Sequence, residues 1–166
     1  MRISRRSAIE LKIKSLSCLE KIAESLRKRG KRVVFTNGCF DILHYGHAKY
    51  LEEAKSKGDV LIVGINSDSS IRRIKGPRRP VIKEHDRLRL ISALESVDYA
   101  VLFSGDTPIR LIRSIKPDIL IKGSDWDKAG IVGADFVSSY GGKVETVRLL
   151  NGRSTTNLIK KIAKNF

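Results

Sequence analysis

The chain has 166 residues, enough for one domain with a full core, and carries a net charge of +15 from 33 Lys and Arg against 18 Asp and Glu. Hydrophobic residues make up 41%, and no apolar run approaches the roughly 20 residues that span a bilayer. The basic N-terminus lacks the apolar region of a secretory signal, so we expect a cytosolic protein. The two cysteines, Cys18 and Cys39, fit neither a disulfide framework nor a zinc spacing.

The positive charge is concentrated in two blocks. Residues 1–32 carry eleven basic and three acidic groups, and residues 72–89 carry eight basic and two acidic groups. Such an excess favours a polyanionic partner, either nucleic acid, an anionic surface or a phosphate-rich ligand, although the first block also reads as a solvated face. We expect residues 1–13 to form a poorly ordered basic extension that precedes one domain at 14–166.

Hydrophobic periodicity predicts strands that alternate with helices along the chain. The predicted elements in chain order are a helix capped by Ser15 or Ser17 and ending near Arg29, a strand that begins at Val33 and ends at Asn37-Gly38, a helix at 46–57 with Gly58 as its C-terminal cap, a strand at 60–65, a short helix through Ile74, a helix at 84–96, a strand at 99–103, a helix that starts at Thr107-Pro108 and ends at Lys116, a strand at 118–122, a helix at 131–140, a strand at 143–147 and a last helix after Asn157. This alternation predicts an α/β fold, a single Rossmann-like domain in which a five-stranded parallel sheet has helices on both faces.

The stretch from Val33 to the helix at 46–57 organises the chain. His44 and His47 bracket Gly46 at the start of that helix, and their spacing aims both imidazoles toward the free N–H groups at the positive end of the helix dipole. A glycine between them leaves room for a phosphate to approach the backbone. The pattern therefore predicts an anion site, although two unrelated structural histidines would give the same four letters.

Other candidate ligand contacts follow the remaining strands. Asp68 is either a helix cap or a ligand contact, and the basic loop at 75–80 reads as a lid that brings Lys75, with Arg78 and Arg79 as substrate clamps, over phosphates. Arg87 and Arg89 lie in the first half of a helix, against the dipole preference, which indicates a negative group near at least one of them.

The carboxyl ends of the later strands carry two further candidates. Asp125 could bind a metal, a ribose or a base, or cap a turn, and Trp126 could stack on a base or fill the rim of the core. Ser154, Thr155 and Thr156 open the last helix, where one hydroxyl serves as the cap and the others favour a phosphate site. Neither G-x-G-x-x-G nor a Walker A loop is present, which counts against dinucleotide oxidoreductases and P-loop kinases.

These motifs, TNGCFDILHYGHAKYL, INSD, IKG, ESVD, KPD, KGSDW and RSTTNLI, resemble the cytidylyltransferase-like nucleotidyltransferases from about Lys12 to Ala163. Within that family the opening helix and KRVVFTNGCFDILH are most similar to the adenylyltransferases that make ADP-heptose, which many bacteria fuse to a sugar kinase. The resemblance implies that an acceptor phosphate attacks the α-phosphorus of ATP and releases pyrophosphate. Two departures are Arg153, where relatives often carry a small or apolar residue, and a segment at 127–133 that is poorer in acidic residues than expected.

The resemblance also implies roles for individual residues. His44, His47 and Lys75 would be catalytic, acting on the charge of the nucleotide phosphates. The nucleotide-binding residues would be Thr36, Asn37, Gly38, Cys39, Phe40, Arg87, Asp125, Trp126, Ser154, Thr155 and Thr156. The substrate-binding residues would be Asp41, Asp68, Arg78 and Arg79. Mg²⁺ is expected as the cofactor, held mainly by phosphate oxygens, and a homodimer is common among relatives.

Two alternatives remain at this stage. A cytidylyltransferase that uses CTP with glycerol 3-phosphate or another small phosphate belongs to the same family and carries similar motifs. A basic nucleic-acid-binding module would explain the charge, but aromatic residues make up only 6% of the chain and no recognised nucleic-acid-binding motif is present.

Overall fold

The computed structural model describes residues 8–124, 130–150 and 152–165. Its five strands are β1 (Val33–Gly38), β2 (Val60–Asn66), β3 (Tyr99–Phe103), β4 (Ile119–Gly123) and β5 (Lys143–Val147). They form one sheet in the order β3-β2-β1-β4-β5, in which every neighbouring pair is parallel. The predicted five-stranded parallel sheet is confirmed.

Eight helices occur in the described part of the chain. They are α1 (Ala8–Lys12), α2 (Leu16–Lys28), α3 (Tyr45–Lys55), α4 (Asp68–Lys75), α5 (Glu84–Ser92), α6 (Ile109–Ile115), α7 (Ala134–Ser139) and α8 (Thr155–Asn165). None of these described helices is both long enough and apolar enough to cross a membrane.

Successive strand residues point to opposite faces of the sheet, so the side chains of each strand contribute to a hydrophobic core on both faces. Val34 packs with Leu51 and Ile91 on the face covered by α3 and α5. Val33 and Phe35 pack on the other face, where α2, α6 and α7 contribute Leu19, Ala23, Ile112, Ile115 and Val137. Helices therefore cover both faces, as the unbroken apolar runs of the strands predict.

The N-terminal extension differs from the prediction. Residues 8–13 are part of the domain: Glu10 forms an ion pair with Arg89 at 3.1 Å, Lys12 donates to the carbonyl of Leu94, and Ile13 makes a parallel bridge to Ala100 at the edge of β3. The expectation of a poorly ordered segment is therefore wrong for these residues. A basic composition does not reveal that this segment caps an open sheet edge.

Several helix ends also differ, for local reasons. Ser15 is confirmed as the cap of α2, but Gly58 does not cap α3, which ends at Lys55. A side chain at Gly58 would meet Val34 at 2.6 Å, so close packing explains the glycine.

The helix predicted at 131–140 begins only at Ala134, because Gly133 has a left-handed φ of 88°. The helix predicted at 84–96 ends at Ser92, and Pro108 is the N-cap of α6 and not its first residue.

The strand order creates a crevice between β1 and β4. The chain leaves β1 toward β2 and β3 on one side and returns to β4 on the other, so the connections after β1 and β4 run in opposite directions. Open α/β sheets bind their ligands at the carboxyl ends of the strands at such a switch point. Gly38 and Gly123 end the two strands there.

Candidate active site

A cleft of about 530 Å³ opens at the carboxyl ends of β1 and β4. It brings together residues from the turn after β1, the starts of α3 and α8 and the end of α4. The predicted site residues that line it are Asn37, Gly38, Cys39, Phe40, Asp41, His44, His47, Lys75, Arg79, Ser154, Thr155 and Thr156. Segments more than 100 residues apart in the chain therefore converge on one cavity.

The two histidines form a stacked pair at the start of α3. Their ring centroids lie 3.8 Å apart with an interplanar angle of 20°, and Phe40 meets His47 edge-on at 5.3 Å. The Nδ1 atoms of both rings are sealed from solvent and have no hydrogen-bond partner among the described residues. Packing thus fixes both imidazoles at the cleft wall, and their Nε2 atoms have no partner among those residues.

Burial keeps both imidazoles neutral at neutral pH. The pKa of His47 falls from 6.5 to about 4, mainly because of desolvation and then because of the nearby charges of His44 and Lys75. Burial also lowers the pKa of His44, and Arg153 adds to that effect. The positive charges of Lys75 and Arg153, which contribute to these shifts, would favour an anionic ligand, and its arrival would raise both pKa values.

The starts of α3 and α8 are in contact. A side chain at Gly46 would come within 3.0 Å of the His44 ring and 3.1 Å of the Arg153 Cβ. The glycine therefore allows close packing between the two helix starts, and the expectation that it also leaves room for a phosphate stays a prediction. Ser154 caps α8 by accepting from the Asn157 N–H at 3.1 Å, as predicted for one of the three hydroxyls.

The basic loop is fastened to the turn after β1. Arg79 donates to Asp41 Oδ2 at 2.7 Å, and the backbone N–H groups of Val81 and Ile82 donate to Oδ1 at 2.8 and 2.9 Å. Asp41 is 6% exposed, and both oxygens of its carboxylate accept hydrogen bonds from the loop. Lys75 is the last residue of α4 and not part of the loop, and Arg78 is exposed and does not line the cleft.

Two predicted site residues, Arg87 and Asp68, are buried and do not line the cleft. Arg87 is 0% exposed and donates to the carbonyls of Cys39 and Ile82 and, at 2.9 Å, to Asp68 Oδ1. Asp68 is neither the cap of α4, which is Ser67, nor part of the cleft lining. Arg87, held by Asp68, therefore links the turn after β1, through Cys39, to the segment after the basic loop, through Ile82. The negative group predicted near Arg87 is confirmed as Asp68, and Glu10 fills that role for Arg89.

Thr36 is also buried. Its hydroxyl donates at 3.0 Å to the Ile121 carbonyl and accepts at 2.7 Å from the Tyr50 hydroxyl, which ties β1 to α3 and β4. Its side chain does not reach the cleft. The predictions for Asp125 and Trp126 fall outside the described residues.

Comparison with known proteins identifies the family. The model of the cytidylyltransferase-like family matches residues 35–158, three quarters of the chain. The chain belongs to the cytidylyltransferase-like family.

Two relatives are proteins named bifunctional protein HldE. The one from Geobacter metallireducens is 54% identical over 157 residues, which is 95% of this chain and 32% of the relative. The one from Syntrophotalea carbinolica is 52% identical over 155 residues, 93% of this chain and 32% of the relative. The chain thus spans about a third of the length of the curated relatives it matches.

Solved structures agree with this assignment. The lipopolysaccharide core biosynthesis protein of Thermoplasma volcanium is 36% identical, with a TM-score of 0.61, and the match covers 73% of this chain and 98% of that one. Pantoate-beta-alanine ligase of Francisella tularensis, solved with β,γ ATP and β-alanine, is 16% identical with a TM-score of 0.57 over 93% of this chain and 79% of that one. This second likeness shows the fold alone.

The structure adds cleft residues to this cytidylyltransferase-like site that the sequence analysis did not select. Lys122 lies at the end of β4 and donates to the backbone and side-chain oxygens of Asn37 across the switch point. Arg153 and Asn66 also line the cleft. Lys122 and Asn66 could have been predicted as site residues, because each is a polar residue at the carboxyl end of an otherwise apolar strand.

The described residues do not supply a dedicated metal site for a cytidylyltransferase-like enzyme. No group of three or more His, Cys, Asp or Glu side chains in the described ranges could hold a metal ion. Asp41, a buried carboxylate in the cleft lining, has both oxygens engaged by the loop. These residues alone do not fit a protein-held Mg²⁺.

Proposed function

We propose that this chain joins the adenylyl group of ATP to a sugar 1-phosphate, heptose 1-phosphate above all, and releases pyrophosphate. The product would be ADP-heptose, for use in lipopolysaccharide or surface-glycan synthesis. The HldE relatives and the lipopolysaccharide core biosynthesis protein support this choice among the substrates of the family. We further propose that it works in the cytoplasm, where ATP is available, and that it forms a homodimer.

The observation that carries the proposal is the contact between the two helix starts. Gly46, in the first turn of α3, lies against Arg153, two residues before α8, and His44, His47, Thr155 and Thr156 line the cleft with them. Two positive helix ends and two sets of donors suit a chain of phosphates, which carries negative charge along its length.

The chemistry follows from this placement. An oxygen of the acceptor phosphate forms a bond to the α-phosphorus, and the bond from that phosphorus to the bridging oxygen breaks as pyrophosphate leaves with its electron pair. No proton has to move, so the protein acts by positioning and by stabilising charge. We assign the α-phosphate charge to His44, His47 and Lys75, and the leaving pyrophosphate to Thr155 and Thr156.

Mg²⁺ belongs to the same proposal. When bound, it would neutralise charge on the nucleotide phosphates, and those phosphates would supply most of its ligands because the described protein residues do not.

The test is release of pyrophosphate from ATP, CTP, GTP and UTP, each combined with heptose 1-phosphate, hexose 1-phosphates and glycerol 3-phosphate. We expect turnover with ATP and heptose 1-phosphate. We also expect His47→Ala to reduce kcat by about 10²–10³-fold, the scale of losing one transition-state donor, with an unchanged circular dichroism spectrum. Full activity in that variant would remove His47 from the mechanism.

The same panel decides between the alternatives. Turnover with CTP and glycerol 3-phosphate, but not with ATP and a sugar 1-phosphate, would replace the proposal by the cytidylyltransferase alternative. If no pair reacts, a salt titration of DNA and RNA binding tests the remaining alternative, since phosphate-dominated binding weakens steeply with salt.

A further inference from the structure

The cleft continues past β1 toward β2. Besides Lys75, six of its lining residues come from that side: Asn66 at the end of β2, Ile71 and Ile74 on α4, and Asp106, Thr107 and Pro108 before α6. We call these six residues the β2-side lobe. Because β1 lies between β2 and β4 in the sheet, this lobe and the β1/β4 crevice flank the end of β1 from opposite sides.

Asn66 is a buried polar residue in this lobe, at 4% exposure. Its Nδ2 donates to Ser70 Oγ at 3.0 Å, and Ser70 Oγ donates to the Gly105 carbonyl at 2.9 Å. Since the Ser70 hydroxyl proton is used on Gly105, the serine oxygen must accept from Asn66. This relay fixes which end of the Asn66 amide carries the nitrogen.

The amide oxygen is left facing the lobe. No side-chain or backbone donor among the described residues reaches Asn66 Oδ1. This oxygen is also not buried from solvent, unlike the unpartnered Nδ1 atoms of His44 and His47. Asn66 lines the cleft, so the oxygen is open to it. The relay therefore holds Asn66 Oδ1 in a fixed orientation as an acceptor to which a ligand in the lobe can donate.

The surroundings indicate the ligand class. Ile71 and Pro108 are buried and Ile74 is 49% exposed, so the lobe has an apolar wall beside its polar groups, which include the Thr107 hydroxyl. A polyhydroxylated carbon skeleton presents C–H surface and O–H donors together, which matches this lining. Lys75 and Arg79 line the same cleft and would face a phosphate attached to that skeleton.

We propose that the β2-side lobe binds the hydroxylated part of the acceptor and that Asn66 Oδ1 accepts a hydrogen bond from one of its hydroxyl groups. Asn66 is then a specificity-determining residue. This inference rests on the proposed function, because it assumes that the acceptor is a hydroxylated phosphate ester, and it assigns the nucleotide to the β1/β4 crevice.

Asn66→Ala tests the inference. We expect kcat/KM for the acceptor to fall about tenfold, the scale of one lost hydrogen bond, while the KM for ATP and its dissociation constant from calorimetry stay unchanged. The control is Ser92→Ala, which removes a buried hydrogen bond to the Leu88 carbonyl outside the cleft. A change of equal size in that control would show that the effect is general destabilisation and would overturn the inference.

Acceptors that each lack one hydroxyl group sharpen the test. The wild-type enzyme should discriminate against one monodeoxy acceptor, and Asn66→Ala should accept that analogue as well as the full acceptor. Wild-type turnover combined with equal discrimination by the variant would overturn the inference and leave the proposed function standing. Absence of turnover with every sugar and polyol phosphate would overturn both.

Discussion

At the scale of single residues, the stacked histidines couple the site to pH. The pKa of His47 is about 4 in the folded chain, below its ordinary value of 6.5. Between these values the unfolded chain binds a proton that the folded chain does not. The contribution of His47 to the free energy of unfolding is therefore fully present above pH 6.5. It decreases as the pH falls and is lost below about pH 4.

This leads to a prediction for the protein without nucleotide. The free energy of unfolding should fall by about 2 kcal/mol more between pH 7 and pH 5 in the wild type than in His47→Gln, which cannot take up that proton. Urea unfolding at the two pH values measures the difference. An identical pH dependence in both proteins would show that His47 is not held neutral by its surroundings.

Single residues also show what local patterns can reveal. His44, His47 and the hydroxyls of Ser154–Thr156 were predictable because each stands at the start of a helix that follows a strand, a position readable from neighbouring letters. The partnerships of Asp41 with Arg79 and of Asp68 with Arg87 were not. They join residues 38 and 19 positions apart, and only the fold brings those charges together.

At the scale of elements, the contact between α3 and α8 is the feature on which the cleft depends. Gly46 allows the His44 ring and Arg153 to pack against the backbone of α3. Both helix starts were predictable from the sequence, but the contact of Gly46 with Arg153 was not, because hydrophobic periodicity places a helix on the sheet without stating which loop residues meet.

Gly46→Ala tests that contact. The added Cβ should push apart the His44 ring and Arg153, which would raise the KM for ATP about tenfold or more and lower stability by about 1–3 kcal/mol, as overpacking does. Gly130→Ala is the matched control, since a Cβ there meets no atom of the described residues within 4 Å. Kinetics and thermal unfolding of both variants provide the comparison, and wild-type behaviour of Gly46→Ala would contradict the packing argument.

At the scale of the whole molecule, the fold class was predictable because the alternation of apolar runs allows few arrangements. The strand order β3-β2-β1-β4-β5 was not, because nothing in the pattern states on which side of β1 the chain returns. That order decides where the switch point lies, and hence why Lys122 and Asn37 meet at the cleft.

The distribution of charge also becomes clear only at this scale. Lys75, Arg79, Lys122 and Arg153 come from four separate segments and all line the cleft. Part of the net charge of +15 therefore faces the proposed triphosphate site and does not require a nucleic-acid partner.

The central claim is that a triphosphate lies between the start of α3 and the start of α8. The most direct measurement is a crystal structure of the chain with an ATP analogue whose α–β bridge cannot be cleaved. We predict that the phosphates lie within hydrogen-bonding distance of the His44 and His47 imidazoles and of the Thr155 and Thr156 hydroxyls. Phosphates bound elsewhere, with both imidazoles still without a partner, would contradict the account.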